Sequence, residues 1–344
     1  MTGVSRAGRL YSSHGGVVIC GGVPHPSPGV PMLRNALLYL SNQQGIFNFV
    51  RNNAAAKSFA SRFVAGETVA TAINAVRGLN AKGISASLDL LGESTTKEAD
   101  AYATQREYLQ LLDLIAAEKL DANVSLKLTA MGMDISDELC IKVTREVLER
   151  ARQYGNFVRL DMESSAYTQK TLDMFETHFY PDFRDNVGIV LQSYLFRTEA
   201  DVKRANELNA RVRICKGAYK EPAEVAFPDK LDVDRSYVAA MQELMLHGRY
   251  PGLATHDEVI IAEARRFATE HGIANDRFEF QMLYGVRRDL QEGLVRDGYR
   301  MRCYVPFGTQ WYPYLMRRLA ERPANVAFMT GNVVREWIGG RRST

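Results

Sequence analysis

Two adjacent arginines, Arg317 and Arg318, stand in the segment GTQWYPYLMRRLAERPAN near the end of the chain. Two neighbouring guanidinium groups suit bidentate binding of a carboxylate. If the segment is helical, one stripe of that helix carries Tyr314, Arg317, Arg318 and Glu321, at positions i, i+3, i+4 and i+7. The stripe predicts a carboxylate-binding helix. The alternative is a solvated face on which Glu321 bridges to an arginine.

Further polar residues occur in or just after short apolar runs. They are Lys127, Asp161, Gln192, Arg213, Lys216, Tyr219, Thr255, His256, Gln281 and Tyr304. Each has a structural alternative: Lys127 could pair with Asp161, His256 could be a satisfied core histidine, Arg213 could cap a helix, and Tyr304 could pack in the core.

Three functions are compatible with these residue types. Lys127 or Lys216 could form a Schiff base. His256, Asp161 and Glu163 could hold a divalent metal for hydrolysis, although metal sites in barrels usually contain more than one histidine. The same charges could also bind a carboxylate without any reaction.

Eight β-like runs lie in order along the chain and position these residues. They cover residues 84–91, 123–129, 157–163, 187–195, 211–218, 252–257, 278–285 and 301–308. Amphipathic stretches between most of them favour parallel βαβ units. Eight units predict an α/β protein with a closed (β/α)8 TIM-like barrel and an N-terminal helical extension. A doubly wound sheet is the alternative, but its glycine fingerprint is missing after the first run.

The third run shows where a site would lie. Val158, Leu160 and Met162 share one face, while Arg159, Asp161 and Glu163 share the other. Strands of a parallel barrel are buried on both faces, so charges there are costly unless they line a site. In such barrels the site lies at the carboxyl ends of the strands. The pattern therefore predicts a ligand pocket at that end.

The remaining segments divide the chain into three parts. The first thirty residues are rich in glycine and proline and are predicted to be loose, a helix is expected from Pro31, and another covers Thr68–Leu79. We expect residues 1–82 to form a loose segment and helices packed on the barrel, 83–325 to form the barrel, and 326–344 to form a C-terminal helix and tail.

Composition limits the class of protein. The 43 basic and 40 acidic residues nearly cancel, and the basic ones are scattered, which argues against nucleic-acid binding. Four distant cysteines without a C-x-x-C pair argue against structural zinc and disulfides, and favour a reduced cytoplasm. No apolar run is long enough to span a bilayer, and the N-terminus does not resemble a secretory signal.

The ordered set VSLKLT, VRLDME, LQSYL, RICKGAY, THD, FQMLYG, YVPFG and YLMRRLAE resembles the catalytic barrel of proline dehydrogenase, from about residue 84 to residue 325. The chain is too short to include the aldehyde dehydrogenase half of the bifunctional bacterial members, so it resembles the single-function form. Two positions depart from the family pattern: the motif THN reads THD at Asp257, and Tyr284 replaces an acidic residue.

The resemblance implies an activity and its partners. Members of the family bind FAD non-covalently and oxidise L-proline to Δ1-pyrroline-5-carboxylate by hydride transfer from C5 to flavin N5. A membrane quinone then takes the electrons, which implies a cytoplasmic protein with transient peripheral membrane association. Pyrroline-5-carboxylate dehydrogenase is the implied functional partner in the route from proline to glutamate.

The resemblance also implies roles for individual residues. Arg317 and Arg318 match the pair that grips the proline carboxylate, Lys127 and Glu321 match the lysine and glutamate beside it, and Asp161 and Tyr304 match polar residues of the substrate side. Tyr314 matches the tyrosine against the pyrrolidine ring. The flavin side matches Gln192, Arg213, Lys216, Gly217, Ala218, Tyr219, Thr255 and His256. No residue is assigned as a base, and no metal is implied.

Overall fold

The computed structural model describes residues 60–321, with side chains through Met316. Eight strands, each parallel to both neighbours, close into a barrel in the order β1 to β8. The strands are β1 Ser85–Leu90, β2 Ala122–Leu126, β3 Val158–Leu160, β4 Val187–Gln192, β5 Arg211–Cys215, β6 Gly252–Ala254, β7 Glu279–Leu283 and β8 Met301–Phe307. The predicted (β/α)8 TIM-like barrel is confirmed.

The strands end earlier than the apolar runs of the sequence. The third run continues to Glu163, but β3 ends at Leu160. Asp161 and Glu163 therefore follow the strand at its carboxyl end, where backbone no longer has to pair with two neighbours. This earlier end of the strand is important, because side chains of residues that follow a parallel strand can be directed into a site.

Helices connect the strands. They are α1 Val69–Asn80, α2 Glu98–Ala117, α3 Asp137–Gln153, α4 Ser165–Met174, α5 Tyr180–Phe183, α6 Thr198–Glu207, α7 Lys230–His247, α8 Glu258–Glu270, α9 Arg288–Arg296 and α10 Trp311–Glu321, with a π-helical turn at Phe175–Phe179 between α4 and α5. The helix predicted over 68–79 is confirmed as α1. It begins after Thr68, which caps it by accepting a hydrogen bond from Thr71 N at 3.3 Å.

One continuous hydrophobic cluster fills the space between strands and helices. Leu88, Val124 and Leu160 are fully buried, and side chains of α2 and α3 such as Leu112 and Val147 pack in the same cluster. The apolar side chains that point outward from the strands form one half of this layer, and the apolar side chains on the inner face of each helix form the other half.

The first and last helices depart from a regular barrel. α1 precedes β1 yet packs against both β1 and β8, the position in which a helix following β8 would close the ring. α10, which does follow β8, instead packs with Leu91 and Val64 in a separate hydrophobic cluster. Gly308 allows this change of direction, since its φ is +121° and a Cβ there would lie 3.0 Å from Leu90 Cδ1.

The loose segment predicted for the first thirty residues, the helix from Pro31 and the C-terminal segment 326–344 lie outside the described residues. None of the helices in the described part of the chain is long and apolar enough to cross a membrane.

Candidate functional site

A buried network centred on Asp161 lies inside the barrel toward its carboxyl end. Asp161 Oδ1 accepts hydrogen bonds from Ser125 Oγ and from Arg213 Nη1, each at 2.6 Å. Tyr304 OH donates to Asp161 Oδ2 at 2.8 Å. Strands β2, β5 and β8 thus converge on one carboxylate that follows β3, as predicted from the polar faces of the runs.

Arg213 is held from several sides. Its guanidinium forms the ion pair with Asp161, donates from Nε to Gln281 Oε1, and lies over the ring of Tyr304 at 5.2 Å. Its side chain is 7% exposed. The helix-cap alternative for Arg213 is wrong, because this side chain points into the barrel. A cation fixed in this way has one orientation available to meet a ligand.

A second buried ion pair joins Lys127 to Asp89. Lys127 Nζ lies 3.0 and 3.1 Å from the two carboxylate oxygens of Asp89. The alternative that pairs Lys127 with Asp161 is wrong, because Asp161 pairs with Arg213. Burial alone would lower the pKa of Lys127, but the carboxylates of Asp89 and Asp161 outweigh it and raise that pKa above its ordinary value.

Asp89 was not among the predicted site residues. The signal was present in the first run, ISASLDLL, where Ser87 and Asp89 alternate with Ala86 and Leu88 as the polar residues of β1. Both are buried. The same reasoning that identified Asp161 from alternating polar residues would therefore have identified Asp89.

Arg159 shares the inward face of Asp161 but not its position along the barrel. Its Nη1 donates to the backbone carbonyls of Ile189 and Arg211, at 3.0 and 2.6 Å. Arg159 is two residues before Asp161, and in an extended strand this places it about 6 to 7 Å nearer the amino-terminal end of the barrel. The charged face of the third run thus reaches the carboxyl end of the barrel at Asp161, as expected, but not at Arg159.

Gln192 at the end of β4 and Gly217 after β5 are two of the predicted cofactor residues. The side chain of Gln192, at the end of β4, is 3% exposed, and its Oε1 has no hydrogen-bond partner within the described structure. A buried amide oxygen without a partner is costly unless a ligand supplies a donor. After β5, Gly217 has φ +114°, and a Cβ there would lie 2.5 Å from the ring of Tyr194. Only glycine lets the backbone of this loop pack against Tyr194 in this conformation.

Lys216 and the THD segment form the neighbouring wall. Lys216 Nζ lies 2.9 Å from Asp257 Oδ2 and 2.6 Å from Asp234 Oδ1. Asp257 also caps α8, accepting from Val259 N at 3.1 Å, and Thr255 Oγ1 accepts from Asp257 N at 3.1 Å. The aspartate that departs from the family motif therefore forms an ion pair with Lys216 and caps a helix in this chain.

Three residues complete the predicted set: His256 after β6, and Ala218 and Tyr219 after β5. His256 Nε2 accepts a hydrogen bond from the backbone N–H of Leu283 at 3.0 Å, so this nitrogen carries no proton. Ala218 and Tyr219 are half-buried in the loop after β5. Among residues 60–316, no group of three or more His, Cys, Asp or Glu side chains is arranged to hold a metal ion.

Tyr314 is buried on α10, at 6% exposure, in the cluster that contains Leu91 and Trp311. The alternative of a solvent-facing tyrosine is wrong. Arg317, Arg318 and Glu321 belong to the same helix, but their side chains lie outside the described ones. The carboxylate-binding stripe on this helix stays a prediction.

Comparison with known proteins agrees with this arrangement. A closed barrel of eight parallel strands with helices between them defines the class as a TIM-like barrel. A family model described as "Proline dehydrogenase" matches residues 72–331. The chain belongs to the proline dehydrogenase family.

Curated relatives match over most of the chain. Proline dehydrogenase 2 of Bacillus subtilis (strain 168) is 42% identical over 298 residues, which cover 86% of this chain and 96% of the relative. Proline dehydrogenase of Deinococcus radiodurans is 39% identical over 307 residues, covering 88% and 98%. The solved structure of proline utilization A from Bdellovibrio bacteriovorus, inactivated by N-propargylglycine, is similar with a TM-score of 0.75 and 26% identity, over 91% of this chain and 38% of that one.

Proposed function

We propose that this chain is a flavoenzyme that oxidises L-proline to Δ1-pyrroline-5-carboxylate with FAD as its cofactor and a quinone as its electron acceptor. The observation that carries the proposal is the match to relatives named proline dehydrogenase, one of which is covered over 96% of its length. A chain that matches nearly the whole of a single-function relative supports the single-function form of the activity.

The substrate side of the proposed site is cationic. Arg317 and Arg318 would bind the carboxylate of proline, with Lys127 and Glu321 beside them. Asp161 and Tyr304 would line the same side, and Tyr314 would pack against the ring. A carboxylate held by two guanidiniums has a fixed orientation, so one ring carbon is presented to the cofactor, and orientation of this kind contributes much of the rate of a hydride transfer.

The cofactor side is supported by the orphaned Oε1 of Gln192, a buried acceptor that a donor on the cofactor would satisfy. The residues proposed to hold FAD are Gln192, Arg213, Lys216, Gly217, Ala218, Tyr219, Thr255 and His256. Bound FAD would supply the hydride acceptor, at N5, for the hydrogen on proline C5. The contribution of Arg213 is a fixed positive charge, because Asp161, Gln281 and Tyr304 hold it in one place.

The proposal extends to location and to the organisation of the chain. A quinone acceptor requires transient contact with a membrane, so we propose a cytoplasmic protein that associates peripherally with the inner face of the cell membrane. A pyrroline-5-carboxylate dehydrogenase would consume the product. Residues 83–325 would form the catalytic barrel, with 1–82 packed on it and 326–344 as a terminal helix and tail.

Two other reaction classes are less compatible with the geometry. A Schiff-base lysine must lose its proton at neutral pH, whereas Lys127 is paired with Asp89 and its pKa is raised. The other candidate, Lys216, is paired with Asp234 and Asp257. A metal-dependent hydrolase needs a ligand cluster, and residues 60–316 contain none.

The visible spectrum of the purified protein tests the proposal directly. We expect flavin absorbance that bleaches when L-proline is added without oxygen and returns with a soluble quinone. Acid precipitation should release FAD and not FMN. A protein that cannot be reconstituted with flavin, or whose flavin is not reduced by L-proline, would contradict the proposed activity.

The carboxylate grip has its own test in Arg317→Met. Loss of one guanidinium should weaken binding of tetrahydro-2-furoic acid, a proline mimic without the amine, by about 2 to 5 kcal/mol. Flavin content should stay normal. Arg235→Met removes an exposed arginine of α7, whose side chain is 77% exposed, and should leave the affinity unchanged. Equal affinities in all three proteins would place the grip elsewhere.

A further inference from the structure

A cavity of about 450 Å³ opens at the amino-terminal end of the barrel, and its lining includes Arg213 and Gln281 of the Asp161 network. It is lined by residues at the starts of strands, including Ala122, Arg211 and Glu279, the first residues of β2, β5 and β7. In barrels of this type catalysis occurs at the other end, and the amino-terminal end usually contributes stability. The proposed proline site does not account for this cavity.

Its lining is strongly positive. The charged residues around it are Lys119, Asp121, Arg159, Arg211, Arg213, Glu279 and Arg302. Two of the cations are already paired, since Arg213 contacts Asp161 and Arg302 contacts Glu279 at 2.8 Å. Asp121 is at the rim and accepts a hydrogen bond from Ser85 Oγ at 2.5 Å.

The other two arginines have no carboxylate within ion-pair distance among residues 60–316. Arg159 is 3% exposed, and its hydrogen bonds go only to the backbone carbonyls of Ile189 and Arg211. Arg211 Nε is buried without a hydrogen-bond partner. Burial lowers the pKa of both side chains, and the neighbouring guanidiniums lower that of Arg159 further.

Aromatic rings hold the two guanidiniums side by side. Both lie over the ring of Phe157, with Arg211 at 4.1 Å and Arg159 at 4.7 Å from its centroid, and Arg211 also lies 4.9 Å from the centroid of Tyr250. Cation–π contacts orient an arginine but do not neutralise it. Buried charges that lack an ion-pair partner are destabilising, and a bound anion would reduce that cost while accepting hydrogen bonds from the N–H groups of both arginines.

We propose that this cavity is an anion site, in which Arg159 and Arg211 together bind the phosphate or carboxylate group of a small molecule. Glu279 does not compete for the position, because its two oxygens are occupied by Arg302, Gln281 and Tyr250. Lys119 is exposed at the rim and adds positive charge at the entrance of the cavity.

Calorimetric titration of the holoenzyme tests the site, with inorganic phosphate and with succinate as probes, at constant ionic strength maintained with chloride. We expect the wild-type protein to bind at least one of the two. Arg211→Gln should weaken that binding on the order of tenfold or more, as for loss of a charged hydrogen-bond donor. Arg235→Gln removes the same charge from an exposed position and should bind as the wild type does.

Two further measurements separate this site from the proposed carboxylate grip. Binding should persist when tetrahydro-2-furoic acid is saturating, and it should persist in Arg317→Met. If Arg211→Gln does not fold, Lys119→Gln at the rim should still weaken binding roughly threefold, through lost charge alone. The proposal would be overturned if neither probe binds. It would also be overturned if Arg317→Met loses binding while Arg211→Gln binds as the wild type does.

Discussion

At the scale of single residues, two buried ion pairs organise the barrel interior toward its carboxyl end. Asp161 with Arg213 and Asp89 with Lys127 each join strands that are distant in sequence. Breaking either pair would leave an uncompensated buried charge, which is strongly destabilising. These pairs therefore maintain the shape of the site as well as its electrostatics.

Tyr314 is the residue that we expect to decide between proline and its hydroxylated relatives. Its buried ring, if it forms a wall against the pyrrolidine, leaves little room for a hydroxyl on C4. A steric contact of this kind discriminates by about 1 to 3 kcal/mol. We predict that L-proline is preferred to trans-4-hydroxy-L-proline, and that Tyr314→Ser narrows the gap by losing activity on proline. The ratio of kcat/KM for the two substrates, determined in both proteins, measures this. An unchanged ratio would show that the ring of Tyr314 does not pack against the substrate.

Glu163 predicts a pH dependence of stability. Its carboxylate accepts hydrogen bonds from Thr129 Oγ1 at 2.8 Å and Thr129 N at 3.3 Å, yet burial raises the pKa of Glu163 to about 7. Because the folded pKa lies above the unfolded one, the stability linked to this group is fully present below about pH 4.5 and is lost as pH rises through 7.

Glu163→Gln should therefore be more stable than the wild type at pH 8, by at most about 3 kcal/mol, and nearly equal to it at pH 4.5. Urea unfolding at both pH values measures the difference. A constant difference between the two proteins across this range would mean that Glu163 does not titrate as its burial indicates.

At the scale of elements, the segment before α1 ties α10 to the barrel. Ala65 N donates to Pro306 O at 2.9 Å, Gly308 N donates to Gly66 O at 3.0 Å, and Trp311 Nε1 donates to Glu67 Oε1 at 3.0 Å. These contacts join the end of β8 and the start of α10 to the chain that precedes α1. They determine where the helix that contains Tyr314 lies.

Glu67→Ala removes the Trp311 hydrogen bond without disturbing the core. We predict a loss of about 1 kcal/mol in unfolding free energy and a higher KM for proline, with flavin content unchanged, because α10 is loosened and the cofactor side is not. Glu67→Gln keeps an acceptor oxygen and should restore both values. If Glu67→Gln behaves like Glu67→Ala, the charge of Glu67 matters and not its hydrogen bond.

At the scale of the whole molecule, α1 is a structural part of the barrel. Its buried Ala72, Ile73 and Val76 lie in the same hydrophobic cluster as the strands, and the helix packs across the junction of β1 and β8. The barrel and α1 should therefore unfold together.

Ile73→Ala tests this cooperativity. We predict that it lowers the unfolding free energy by about 2 to 5 kcal/mol in a single transition, seen together by circular dichroism and by tryptophan fluorescence. Val259→Ala, at a position 78% exposed, should have little effect. Two separated transitions in Ile73→Ala would show that α1 detaches on its own.

Much of the architecture is readable from the sequence because it is local. Strand and helix periodicities repeat within ten residues, so the eight alternating units, the capped helix after Thr68 and the buried polar residue Asp161 all follow from neighbours along the chain. The family resemblance was likewise carried by short ordered motifs, and the family membership agrees with it.

Only the tertiary structure decided which of these local features meet. The sequence alone could not pair Lys127 with Asp89, because both Asp89 and Asp161 are inward carboxylates and the choice depends on the closure of the barrel. Nor could it separate Arg159 from Asp161, since alternation gives the face of a strand but not the end of the barrel to which a side chain reaches. The packing of α1 across β1 and β8 depends in the same way on a ring of strands that is complete only in three dimensions.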